Sequence, residues 1–144
     1  MTTHTAEQVE KKVRRPRASL VSLRIVLVLH AALIVAQPIL AGYFLSGNVD
    51  AMNIHGPIGS SVWLVALIQF VVAAIYWLGG GGRVWPTALT AVLFVAEFVQ
   101  LVFGYQRNFA VHIPLGTAIV ITVVWMTVWS FRPTARLSRR EAKR

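Results

Sequence analysis

Two histidines open matching five-residue phrases, His55-Gly56-Pro57-Ile58-Gly59 and His112-Ile113-Pro114-Leu115-Gly116, and each phrase introduces a long apolar run. An imidazole is costly to place in lipid, so each needs a partner or a task. One such phrase would read as a helix start with an interfacial polar residue. Two at equivalent positions read as the two halves of one site. Two facing imidazoles at equal depth are the ligand set of a six-coordinate b-type haem. Zinc would want three or four protein ligands, and no third histidine, cysteine or carboxylate is expected at that depth. The chain has no cysteine, which removes disulfides, thiolate metal sites and covalent haem attachment.

Other residues around the phrases extend the chemistry. Gly59 and Gly116 share the helical face of their histidines, and without a side chain they would let a flat ring approach the backbone. Pro57 and Pro114 are predicted in the first helical turn, where a missing N–H is harmless. Gln37 and Gln100 fall about 8–10 Å below the outer ends of their spans. They could bond each other, a ligand histidine or a headgroup, or simply hold helices together. Glu97 is the only acid within a span and shares a face with Gln100 and Gly104, pointing into the bundle. It reads either as a proton acceptor near a redox centre or as a neutral buried acid bonded to a neighbouring span. His30 lies on the face of Gln37, roughly 20 Å below the outer end. It is a buried polar contact or, with Glu97, a proton relay, although counting from the helix ends separates the two by about 9 Å in depth. Arg107, on the outer side, could pair with haem propionates or with lipid phosphate.

These residues need long elements to position them. The chain has 144 residues, 56% of them hydrophobic, with a mean hydropathy of +0.64, too apolar for a soluble domain of that size. Four spans are predicted, Leu20 to Leu45, Ile58 to Leu78, Trp85 to Tyr105 and Ile113 to Phe131, each able to cross a hydrocarbon core of about 30 Å. Short connections imply an all-α membrane protein, a four-helix antiparallel transmembrane bundle over residues 19–132. The basic run before and into span one, Lys11, Lys12, Arg14, Arg15, Arg17 and Arg24, implies a cytoplasmic N-terminus. Arg83 and the basic residues after span four agree, which leaves Arg107 as the only one of 14 basic residues outside. The positive-inside rule therefore gives both termini in the cytoplasm, with basic tails at 1–18 and 133–144 expected to be mobile. A net charge of +9 so distributed fits anionic lipid headgroups and argues against nucleic acid. The N-terminal apolar run exceeds a signal-peptide core and reads as an uncleaved span.

Gly79 to Gly82 is predicted to be a flexible turn between two halves, and it lacks the residues of a phosphate-binding loop. Tyr43 and Tyr105 at outer ends, and Tyr76, Trp77, Trp85 and Trp129 towards inner ends, read as interfacial belts. The halves are similar helical hairpins. Each runs Gln, then Gly-Tyr, then an outer loop, then the histidine phrase, through Gln37, Gly42, Tyr43 and His55 or Gln100, Gly104, Tyr105 and His112. Parallel repeats of this kind are related by an axis along the membrane normal.

The half-repeat, with a histidine opening spans two and four, resembles one half of haem A synthase, an eight-span protein built from two four-helix haem-binding bundles. The pattern Gln37, Ala41-Gly42, His55 to Gly59 and His112 to Gly116 also resembles an uncharacterised actinobacterial four-span membrane family. The resemblance covers about residues 20–131 and implies that His55 and His112 stand at haem-ligand positions. Haem A synthase carries an acid three residues before the first-loop histidine and an arginine after it. Met52 and Gly56 stand there in this chain, Asp50 is out of register, and no cysteine pair exists. The resemblance thus implies haem binding without oxygenation of haem O. The expected function is a small b-type haem-binding membrane protein that passes electrons to a redox partner or holds haem. The alternative is a non-enzymatic accessory or assembly subunit of a larger membrane complex, with structural histidines. A proton or solute path through Glu97 and His30 would call for a homo-oligomer.

Overall fold

A segment rich in leucine, valine, isoleucine and alanine can satisfy its backbone in lipid only as a helix. The structure, a computed structural model, describes residues 17–141. It contains the helices α1 (Arg17–Leu45), α2 (Ala51–Leu78), α3 (Trp85–Tyr105) and α4 (Phe109–Phe131), then a 3-10 turn at Pro133–Arg136. All four helices are long and apolar enough to cross a membrane, and no strand occurs among the described residues. Most of the basic N-terminal segment, including Lys11, Lys12, Arg14 and Arg15, lies outside the described residues, as do Lys143 and Arg144.

Helices α2 and α4 begin earlier than the predicted Ile58 and Ile113. The predicted bounds follow the histidine phrases, whereas residues 51–57 and 109–112 are already helical. Pro57 and Pro114 therefore sit inside their helices and not in the first turn. A proline there leaves the ladder short of one hydrogen bond. Beside the prolines, hydroxyls bond back to their own helices in matched positions: Ser60 donates to Gly56 O at 2.8 Å and Thr117 to Ile113 O at 3.0 Å.

Apart from Ala51, Thr87 and Trp129, the buried residues of the four helices repeat at alternating steps of three and four. They are Leu20, Leu23, Leu27, His30 and Ile34 on α1, and Val62, Ala66, Gln69, Ala73 and Tyr76 on α2. On α3 they are Pro86, Thr90, Leu93 and Glu97, and on α4 Ile119, Val123, Met126 and Ser130. Such a narrow seam is the pattern of knobs-into-holes packing. Helices α1 and α3 each pack against both α2 and α4, closing a ring around the seam. Ile25, Leu29, Ile68, Ile75, Phe98 and Ile121 stay exposed on the outside, the arrangement expected of a lipid-facing shell. Continued outward at the same spacing, the seam passes through Gln37, through His55 and Gly59, through Gln100 and Gly104, and through His112 and Gly116. The repeat thus sets the outer part of the interior, and Arg107 alone of the candidate residues stands off it.

The inner end is more tightly closed than expected. Tyr76 is fully buried and Trp129 is 7% exposed, so neither serves as a belt anchor. Both belong to an aromatic cluster in which the Trp85 and Trp129 rings are 4.4 Å apart. Tyr43 and Tyr105, at the opposite end, are exposed. Gly79 to Gly82 is no loose linker. Gly81 has φ +75°, and the missing side chain of Gly82 makes room for the Tyr76 ring. The chain after α4 folds beneath this turn. Tyr76 donates its hydroxyl to Ala135 O at 3.1 Å, the Arg139 N–H donates to Gly81 O at 2.9 Å, and Ala135 and Ser138 are buried. On the neighbouring edge, Arg24 Nε donates to Ser130 O at 2.8 Å and its guanidinium lies 5.0 Å from the centre of the Phe131 ring.

Candidate functional site

His55 on α2 and His112 on α4 face each other across one diagonal of the ring, with centroids 6.3 Å apart and planes inclined at 63°. Each imidazole is oriented from the preceding helix of its own hairpin. His55 Nδ1–H donates to Gln37 O at 3.2 Å, and His112 Nδ1–H donates to Gln100 O at 3.0 Å. A backbone carbonyl can only accept, so this contact puts the proton on Nδ1 and leaves the Nε2 lone pair free to ligate. Two imidazoles placed in this way are the residues that would hold a metal-centred group through Nε2, and the metal would supply its redox or Lewis-acid chemistry. Among the described residues no group of three or more histidine, aspartate or glutamate side chains could hold a metal ion, so a closed zinc site has no third ligand.

The glycines serve a purpose other than the expected one. Gly59 and Gly116 do not leave bare backbone for a flat ring, because glutamine amides lie on them. A Cβ on Gly59 would meet Gln37 Oε1 at 3.3 Å, and one on Gly116 would meet Gln100 Nε2 at 2.6 Å. The same two glutamines thus orient the histidines through their carbonyls and cover the glycines with their side chains. Gln37 Nε2 and Gln100 Oε1 are buried without a hydrogen-bond partner. An orphaned donor and an orphaned acceptor beside the imidazole pair fit a polar or metal-bearing group there, since buried polar atoms are normally satisfied. A group bound between the two imidazoles would meet these amides, whose flexible ends can turn to bond a polar substituent on it.

One departure from the repeat has a consequence. Gly104 follows Gln100 by four residues and shares its face, whereas Gly42 follows Gln37 one residue later and is turned away. A Cβ on Gly104 would lie 2.9 Å from His112 Cε1 and 3.0 Å from Nδ1, but nothing lies within 4 Å of one on Gly42. Gly104→Ala should therefore tilt His112 off its carbonyl and weaken ligand retention about tenfold or more. Gly42→Ala should bind normally. Equal behaviour of the two variants in a metalloporphyrin titration would refute this asymmetry.

Below the histidine pair a second polar group occupies the other diagonal. His30 on α1 and Glu97 on α3 are 0% and 4% exposed, and Nε2 lies 3.0 Å from Glu97 Oε1. The depth separation expected from the sequence is wrong. Counting inward from the ends assumed that both helices end level, but α1 has 29 residues and α3 only 21. Gln69, which the sequence reading missed, completes the group, with its Oε1 2.8 Å from His30 Nδ1. Its signal was present: it falls two heptads after His55 on the α2 seam. Gln69 Nε2 and Glu97 Oε2 remain buried without hydrogen-bond partners. Arg107 stands exposed in the α3–α4 turn, with the left-handed backbone φ of +54°.

No protein-family model, curated protein or solved structure matches this chain.

Proposed function

We propose that this protein is a small b-type haem-binding protein of the bacterial cytoplasmic membrane that transfers electrons or holds haem for a partner. His55 and His112 would ligate the iron through Nε2, Gln37 and Gln100 would orient the ligands, and Arg107 would face the propionates from the outer turn. The haem would supply one-electron chemistry. The protein would contribute two pre-oriented ligands that face each other across one diagonal of the packed interior. The helices run antiparallel with both termini cytoplasmic, a reading supported by Arg107 being the only basic residue assigned outside. The resemblance to one half of haem A synthase leads to the same two ligands. The matched histidines carry the proposal, 6.3 Å apart and each bonded at Nδ1 to a glutamine carbonyl.

Protein purified after expression with ample haem should show a reducible, low-spin b-type spectrum at one haem per chain. Wild-type protein lacking a Soret band would sink this reading and return the chain to the accessory-subunit alternative.

A further inference from the structure

The Gln69–His30–Glu97 group has no part in holding the ligands, yet it places three polar side chains in the seam of a membrane bundle. Gln69 Oε1 only accepts, so the 2.8 Å contact puts a proton on His30 Nδ1. His30 Nε2 and Glu97 Oε1 lie 3.0 Å apart without hydrogen-bond geometry between them, and one further proton on either atom leaves the pair neutral overall. Adding a proton gives it a charge of plus one. Among the described residues His30 is the titratable group that faces Glu97. From α2 comes the uncharged Gln69, and the α4 seam is apolar at Ile119, Val123 and Met126. The orphaned Gln69 Nε2 and Glu97 Oε2 give an added proton, or the water delivering it, somewhere to bond.

The opposite half of the repeat shows that packing does not require these groups. At the equivalent seam positions His30 is matched by Leu93, Gln69 by Met126, and Glu97 by Ile34. The polar group also lies close to the histidine pair. Glu97 precedes Gln100 by about 4.5 Å along α3, and the Gln100 carbonyl holds His112.

We propose that Glu97, His30 and Gln69 form a proton-uptake site coupled to the redox state of a haem on His55 and His112, an inference that rests on the functional reading above. On reduction, one electron from a one-electron donor converts ferric to ferrous iron, and one proton from water joins the Glu97–His30 pair. Oxidation returns both. The added positive charge compensates the added electron. His30 stands seven residues, about 10 Å along α1, from Gln37, whose carbonyl holds His55; at about that separation and an effective dielectric constant of about 20, each charge shifts the other's equilibrium roughly tenfold. For a one-electron couple tenfold corresponds to about 59 mV.

The test is redox titration of the haem-loaded full chain against pH, with reduced-minus-oxidised infrared spectra. The midpoint potential should fall by about 59 mV between its acid and alkaline plateaus. A carboxylic-acid C=O band should change on reduction. Glu97→Gln should flatten the pH profile and remove the band while keeping the low-spin spectrum. His30→Gln provides the same pH test if Glu97→Gln does not accumulate. A potential independent of pH in the wild type, or a pH profile surviving in both variants, would overturn the coupling and leave haem binding standing. Absence of a Soret band from wild-type protein would overturn both.

Discussion

Replacement of either His55 or His112 by alanine should abolish the six-coordinate low-spin spectrum and release haem on detergent gel filtration. Losing only the outer partner of a metal ligand costs about 10–100-fold in affinity, and loss of the ligand itself should exceed that range. The two variants should behave alike, because the two imidazoles have the same kind of support: a glutamine carbonyl on Nδ1 and a neighbouring amide. Gln37→Ala and Gln100→Ala supply the contrast. Each keeps the carbonyl and removes only the amide, so haem binding should weaken by far less. Retention of the wild-type spectrum by both histidine variants would show that the imidazoles are structural.

The second large effect lies deeper in the bundle and needs no haem to read. His30→Leu should destabilise the protein by about 3 kcal/mol in detergent unfolding. It removes two interhelical contacts of about 1–2 kcal/mol each and strands the Glu97 carboxyl and the Gln69 amide among apolar neighbours. The triple variant His30→Leu, Gln69→Met, Glu97→Ile takes each residue from its counterpart in the other half. It should recover to within about 1 kcal/mol of the wild type, because a buried polar group replaced as a unit leaves no orphan. If the single variant were as stable as the wild type, the three side chains would not form a coupled network.

Both experiments bear on how much was legible before the fold was known. Four spans followed from apolar runs that can satisfy their backbone only as helices. The outer pair was legible because His55 and His112 each carry Gly at the fourth position after them, a spacing that keeps one helical face. Their orienting partners were not legible as such. Gln37 and Gln100 attracted attention for their side chains, but it is their carbonyls that bond the rings, and every residue has a carbonyl. The glycine shelves were assigned to a ring and are covered by amides. The proline positions moved because α2 and α4 begin at Ala51 and Phe109, ahead of the histidine phrases.

The inner group shows the limit of counting. His30 and Glu97 were noted separately, and a 9 Å offset stood between them because depth was measured from helix ends that do not lie level. No sequence motif singles out Gln69, although it falls two heptads after His55 and so on the same face of α2. Residue spacing by itself put Glu97 with Gln100 and Gly104, His30 with Gln37, and each histidine with its glycine on one face, and the duplicated phrase marked two imidazoles at equivalent places in two similar halves. Only the tertiary structure decided which side chains meet across the ring, His55 with His112 on one diagonal and His30 with Glu97 on the other. A helix's face is a local property of its residue spacing. Its depth and its diagonal partner depend on the length and packing of the other three helices, so they appear only when all four are assembled.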